Sequence, residues 1–437
     1  MHSNLIGGLW TTGETPGAVA VVNPATLKPV GEVPDLGPED VTAAIAQAKA
    51  LRPTPPASPA GRAEPLARAA ARIRAAAADL ARTLSLESGQ PLWEALDTVT
   101  AVADLLEAPL PVPVPAADDD SPGMVLSVLE PHLALYVFAR ELRAAVAAGR
   151  GGVWALPLCT PLTILECLRV ADLPPGWVTT VTGHAAGPLL AAGLPARAGI
   201  RRAIVVTADA DPELAAHLIA AARLYHGGQL AHASLRVYAE EGIARSLGDA
   251  LHLAVALLEC GDPVRPGTDL GPLQTAAAAD TVERQVGLLL KQGGTLKVGA
   301  RRFKPWGLPG HFFQPTVLTG VPIEAVLAAG AIRGPVVAVS TVADSAAALA
   351  AERDGHPGLE LSLIARDPAS TAAALALPLA APAPSVDDGA SLADDILVRS
   401  GLCPPGTVQA AVTVRPLTRL SSLGFPYAER PRPVSGR

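Results

Sequence analysis

Two α/β domains are predicted for this chain, and three observations carry the prediction. Its 437 residues are enough to bury two separate cores. Short β-rich runs punctuated by Gly and Pro alternate with longer runs whose apolar residues recur at helical spacing. Apolar residues make up 49% of the sequence and charged ones 17%, which excludes a disordered chain, and with 3% aromatic residues the cores must be built from Ala, Leu and Val.

Charge and cysteine usage remove several classes of function. With 34 basic against 41 acidic residues the net charge is −7, and the pairs Arg201–Arg202 and Arg301–Arg302 make no basic face that would neutralise phosphates. No nucleic-acid partner is expected. No stretch of about 18 uncharged apolar residues is present, so no membrane span is expected either. The first ten residues, MHSNLIGGLW, lack the basic segment and apolar core of a secretory signal, which predicts a cytoplasmic protein. Cys159, Cys167, Cys260 and Cys403 are far apart, with no C-x-x-C pair. Buried free thiols are expected, with no metal site.

In chain order, residues 5–34 alternate short β runs with Gly and Pro and read as a hairpin-like lead. Pro38-Glu39-Asp40 opens a helix, its carboxylates set against the positive end of the helix dipole. A Pro-rich loop over 53–59 precedes a long helix from about Arg62 to Glu87, with Leu66, Ala70, Ile73, Leu80 and Leu84 on one face and Gly89 as its stop. A further helix carries Trp93, Leu96 and Val99. LPVPVP at 110–115 and the acidic run Asp118–Asp120 make a linker, because alternating Pro cannot enter a sheet interior. Met124–Phe138 reads as β-structure. Asp211 and Pro212 supply an N-cap and a first-position Pro for a helix that leads into Tyr225–Arg236, YHGGQLAHASLR. Near the end, TVQAAVTVRPLTRL alternates enough for an exposed or intersubunit strand, and YAERPRPVSGR reads as a polar tail.

Several of these stretches together resemble the aldehyde dehydrogenase superfamily: Ile6–Trp10, Val22–Thr26, ESGQPL at 87–92, Leu173–Gly176 with Val181–Gly183, Asp209–Asp211, Gly261–Leu273 and Gly310–Leu318. The resemblance runs over roughly residues 5–379. It implies two α/β domains with parallel sheets, the first Rossmann-like and shortened, plus a β element for oligomerisation. The implied domains are 1–200, with an oligomerisation segment at 122–138; 201–400, the catalytic-like domain; and 401–437, a C-terminal oligomerisation strand and tail.

The same resemblance places the functional positions. In the family a cysteine two residues after a Gly-Gln pair attacks the aldehyde. Here Gly228 and Gln229 are kept, Ala231 stands at the nucleophile position, and His232 and Arg236 follow. A methyl group can neither add to a carbonyl nor leave as a thioester. His232 has no nucleophile beside it to activate. Asn occurs only at Asn4 and Asn23, so the amide the family offers to an oxyanion has no counterpart later in the chain.

The cofactor positions read the same way. The Lys and Glu that grip the adenosine ribose correspond to Ala155 and Leu158, and the five lysines (Lys28, Lys49, Lys291, Lys297, Lys304) leave none in that part of the chain. Between Gly183 and Ala203 the helix whose N-terminus receives the pyrophosphate is missing, together with the catalytic Glu that follows it. In the counterpart of E-x-F-G-P, Ala331 and Arg333 replace the Glu and Phe that hold the nicotinamide end.

These losses predict a chain with no bound cofactor and no catalysis, acting as a structural or regulatory subunit. Its expected partners are copies of itself or an active aldehyde dehydrogenase. Two alternatives compete with this expectation: an enzyme using Cys159 or Cys403 as a relocated nucleophile with His232 or another histidine as base, or a small-molecule sensor using the cleft between domains.

Overall fold

A computed structural model of the chain describes residues 2–13, 17–51, 58–110, 124–191, 201–230, 236–353, 359–366 and 412–416. The chain divides into two compact units. The first comprises Met1–Ala196, Gly261–Gln274 and Trp306–Gly310; the second comprises Arg197–Cys260, Thr275–Pro305 and His311–Arg437. The first unit thus recruits two short pieces from beyond residue 200. Among the described residues no helix is long and apolar enough to cross a membrane.

The first unit opens on two hairpins, as its Gly and Pro spacing predicts. β1 (Asn4–Ile6) pairs antiparallel with β2 (Leu9–Thr11) across Gly7 and Gly8, whose φ values of 60° and 78° suit a two-residue turn. β3 (Gly17–Val22) pairs with β4 (Pro29–Asp35), and Asn23 closes their turn by accepting hydrogen bonds from the Ala25 and Thr26 amides at 2.8 and 3.1 Å. α1 (Pro38–Ala50) starts on the predicted proline.

The expected helix from Arg62 to Glu87 is two helices, α2 (Pro59–Ala75) and α3 (Ala77–Ser88), separated at Ala76. Neither Gly nor Pro marks the break. α3 ends on Gly89 in the left-handed region, φ 77°, and α4 (Leu92–Glu107) follows.

Residues 122–138 differ from expectation. Only β5 (Val125–Val128) is strand; α5 (Ala134–Ala147) begins within the apolar run that reads as β in sequence. Ala134 through Ala139 are all buried, so this stretch of helix is apolar on every face and shows no 3.6-residue period. β5 pairs in parallel with β6 (Gly152–Ala155), which pairs in parallel with β7 (Val178–Val181). β5, the strand within the segment expected to reach another subunit, is the edge of this three-stranded sheet. α6 (Leu162–Ala171) follows β6, and the six-residue α7 (Ala186–Ala191) follows β7.

The second unit is built on a seven-stranded sheet of β8 (Arg201–Val206), β9 (Arg236–Glu240), β10 (Thr295–Val298), β11 (Thr316–Thr319), β12 (Val336–Val342), β13 (Leu359–Ile364) and β14 (Val412–Pro416). Their spatial order is β10-β11-β12-β9-β8-β13-β14, and every pair is parallel except β10 with β11. The helices are α8 (Pro212–Leu224), α9 (Glu241–Ala256), α10 (Ala276–Lys291), α11 (Ile323–Ala329) and α12 (Ser345–Arg353). α8 starts as its sequence predicts, with Asp211 accepting from the Glu213 and Leu214 amides. The strand expected to join subunits near the C-terminus is β14, which pairs with β13 of its own chain through Leu359–Val412 to Leu363–Pro416.

A buried carboxylate ties α12 to this sheet. Glu352 receives Arg236 Nη1 at 2.7 Å on one oxygen and the Tyr238 hydroxyl at 2.7 Å on the other, and its side chain is fully buried. Removing one partner of such a group strands the other in a dry site. Glu352→Ala is expected to destabilise the protein by about 3–5 kcal/mol, read as a lower urea midpoint at unchanged slope.

Candidate functional site

The loop singled out in the sequence is delivered by the C-terminal end of α8. A 3-10 turn, Tyr225–Gly228, follows it, with His226 and Gly227 in the left-handed region at φ 53° and 62°, and Gly228 at φ 69°. Gly228 is demanded twice over. A β-carbon there would lie 2.1 Å from the Gly334 carbonyl oxygen and 2.7 Å from that of Arg223. Gln229 is buried and folds back on the turn, its amide Nε2 donating to the His226 carbonyl at 3.1 Å and its backbone N–H to the same oxygen at 3.2 Å. Ala231 and His232 lie outside the described residues.

Beneath this turn sits a residue that the motif reading missed. Arg223, in the last turn of α8, is 2% exposed, and its Nη2 donates to the carbonyls of Ile332 and Val336. Burial alone pulls its guanidinium down to about 10. Among the described residues its Nε and Nη1 have no hydrogen-bond partner. The signal was present as spacing, since Arg223 follows the buried Ile219 by four residues on the inward face of α8. Arg223 and Gly228 together fasten the loop to the segment Ala331–Pro335.

That segment is the counterpart of E-x-F-G-P. Ala331 and Arg333 are exposed and alternate with the buried Ile332 and Gly334. Gln285 Nε2 holds the backbone by donating to the Ala329 and Ala331 carbonyls at 2.8 and 3.1 Å. Arg236 does not join the loop. It begins β9 and turns to Glu352, so its role in the structure is to hold α12.

In the first unit, Ala155 ends β6 and is 2% exposed, and Leu158 is half-buried beyond it. Neither side chain offers a donor or acceptor to a ribose hydroxyl, so these two positions do not fit the ribose of a nicotinamide dinucleotide. The thiols do not fit a relocated nucleophile. Cys159 is half-buried, and its thiol is pushed up to about 12, first by burial and then by the neighbouring Glu87 carboxylate; Cys167 is buried and pushed up as well. At pH 7 a thiol of pKa 12 is ionised in on the order of 10⁻⁵ of molecules. Cys403 lies outside the described residues. Among the described residues no cluster of His, Cys, Asp and Glu could hold a metal ion.

Set beside known proteins, the sequence matches the profile of the Aldehyde dehydrogenase family over residues 10–110 and 194–378. The chain belongs to the aldehyde dehydrogenase family. It is 27% identical over 411 residues to the glutarate-semialdehyde dehydrogenase of Pseudomonas aeruginosa, covering 83% of this chain and 84% of that one. It is 26% identical over 412 residues to the NADP(+) succinate-semialdehyde dehydrogenase of Escherichia coli, covering 83% and 85%. Its fold matches that of the lactaldehyde dehydrogenase of Escherichia coli with a TM-score of 0.75 at 24% identity, over 86% of this chain and 88% of that one.

These relatives overturn the expectation of a non-catalytic structural or regulatory subunit. Proteins similar to this chain over more than four fifths of both lengths are named as dehydrogenases, which points to an enzyme. That expectation rests on several losses together, at Ala155, Leu158, Ala231, Ala331 and Arg333.

Two substitutions probe the site. Gly228→Ala is expected to cost roughly 1–3 kcal/mol of stability from left-handed strain, and more from the clash with Gly334, measured by urea denaturation. Glu87 is fully buried, and desolvation pushes its carboxyl up to about 8 from its ordinary value of 4.5. Because the folded chain then holds a proton that the unfolded chain has released, stability contributed by this group is complete below about 4.5 and falls as pH rises to about 8. Denaturation at pH 5 and pH 8 is expected to show a loss of stability in wild type that Glu87→Gln reduces.

Proposed function

We propose that this chain is a cytoplasmic enzyme, an oxidoreductase by family, that acts on a short aldehyde carrying an acid group at its far end. One observation carries the reading: similarity along more than four fifths of the chain to relatives named for glutarate semialdehyde and succinate semialdehyde, two substrates that share this plan. The second unit keeps a rigid frame where the family presents its reacting group. Three successive left-handed residues, Gln229 folded back on His226 and the Arg223 tether brace the turn Tyr225–Gly228, and a braced turn is what positioning a substrate requires. Ala231 contributes no nucleophile, and neither Cys159 nor Cys167 supplies a thiolate at neutral pH. The chain's own residues therefore bind and orient the aldehyde without a covalent sulfur adduct at these positions. Oxidising the aldehyde to the acid releases two electrons, which an added acceptor must take up, because the Ala155 and Leu158 side chains do not fit a dinucleotide.

The test is aldehyde consumption. Purified full-length protein is incubated with succinate semialdehyde or glutarate semialdehyde, with NAD, with NADP or with a dye acceptor, and proton NMR follows the aldehyde and acid signals. The expected outcome is acid formation with matching reduction of the dye acceptor, faster than with heat-denatured protein. No consumption under any of these conditions would overturn the proposal.

A further inference from the structure

In a parallel α/β sheet a ligand's phosphates are held at the carboxyl ends of the strands, by the free amides that open the following helix. The first unit has three such places, one after each of β5, β6 and β7.

After β6, the first amides of α6 are already engaged. Glu87, at the end of α3, accepts from the Leu162 N–H at 2.7 Å, the Thr163 N–H at 3.0 Å and the Thr163 hydroxyl at 2.5 Å. After β7 the turn at Gly183, φ 116°, brings the His184 N–H to 2.8 Å from Asp35 Oδ1, and the imidazole Nδ1 lies 3.1 Å from Asp35 Oδ2. The end of β4 lies across this turn: Leu36 N–H donates to the Thr182 carbonyl, the Thr182 hydroxyl donates to the Pro34 carbonyl, and a β-carbon on Gly183 would meet the Leu36 amide at 2.5 Å. α7 is only six residues long. After β5, α5 opens without a side-chain cap, and Ala134, Leu135 and Tyr136 in its first turn are 2–3% exposed.

We propose that the phosphate seats of this unit are filled by the chain itself, by the Glu87 and Asp35 carboxylates and the buried start of α5, so that the unit takes no nicotinamide dinucleotide. The Asp35 carboxylate opposes a pyrophosphate by charge as well as by occupancy, Glu87, which burial keeps protonated at neutral pH, opposes it by occupancy, and the Ala155 and Leu158 side chains give the ribose nothing to hold. The sequence supports the same division independently. The family profile matches on either side of residues 111–193, and β5, β6 and β7 all lie inside the interval it passes over.

This inference is independent of whether the chain turns over a semialdehyde, and its test measures binding alone. Full-length wild-type protein, shown to melt cooperatively, is titrated with NAD and separately with NADP to about 1 mM, and followed by melting temperature and by saturation-transfer NMR on the nucleotide protons. The expected result is no saturable transfer and a melting temperature that stays within about 1 °C, whereas a ligand at 100 times its dissociation constant would move it by several degrees. Saturable binding of either nucleotide would overturn the proposal.

Discussion

The second unit depends on one close approach of backbone to backbone. The Gly334 carbonyl oxygen comes so near Gly228 that no side chain fits between them, and it does so just where Gly228 already needs a left-handed conformation. From this contact the end of α8 and the start of β12 become a single piece. Arg223 reinforces the joint from below through two carbonyls of the same segment. A guanidinium buried without a carboxylate is costly. Its position at the C-terminal end of a helix, where the dipole favours a cation, offsets part of that cost.

The two units have treated their inherited sites differently. In the second, the turn Tyr225–Gly228 keeps Gln229 and its supporting contacts, and position 231 holds an alanine. In the first, the carboxyl edge of a three-stranded sheet is packed by the protein's own acidic and apolar side chains. Aldehyde chemistry proposed for this chain therefore rests on the second unit.

Much of the architecture could be read from local chemistry. Asp211-Pro212 starts α8 and Gly89 ends α3 for reasons contained within a few residues, and the Asn23 turn joins β3 to β4 in the same way. Position 228 was legible too, because a glycine at the end of a helix and ahead of a Gln marks a turn by itself. The apolar run after Pro131 was not legible: a helix buried on all sides and a buried strand present the same string of Ala, Leu, Val and Phe. The break at Ala76 likewise has no marker in the chain.

The sequence alone determined the family, the absence of a thiol at position 231 and the apolar character of Ala155 and Leu158, because these are matters of which atoms exist. Only the tertiary structure decided that Glu87 accepts from the first amides of α6 and Asp35 from the His184 amide after β7, that Arg236 serves Glu352, and that Arg223 is buried. Each of these joins residues that are distant in sequence, or turns on burial, and neither a spacing nor a motif encodes where a folded chain brings its own carboxylates.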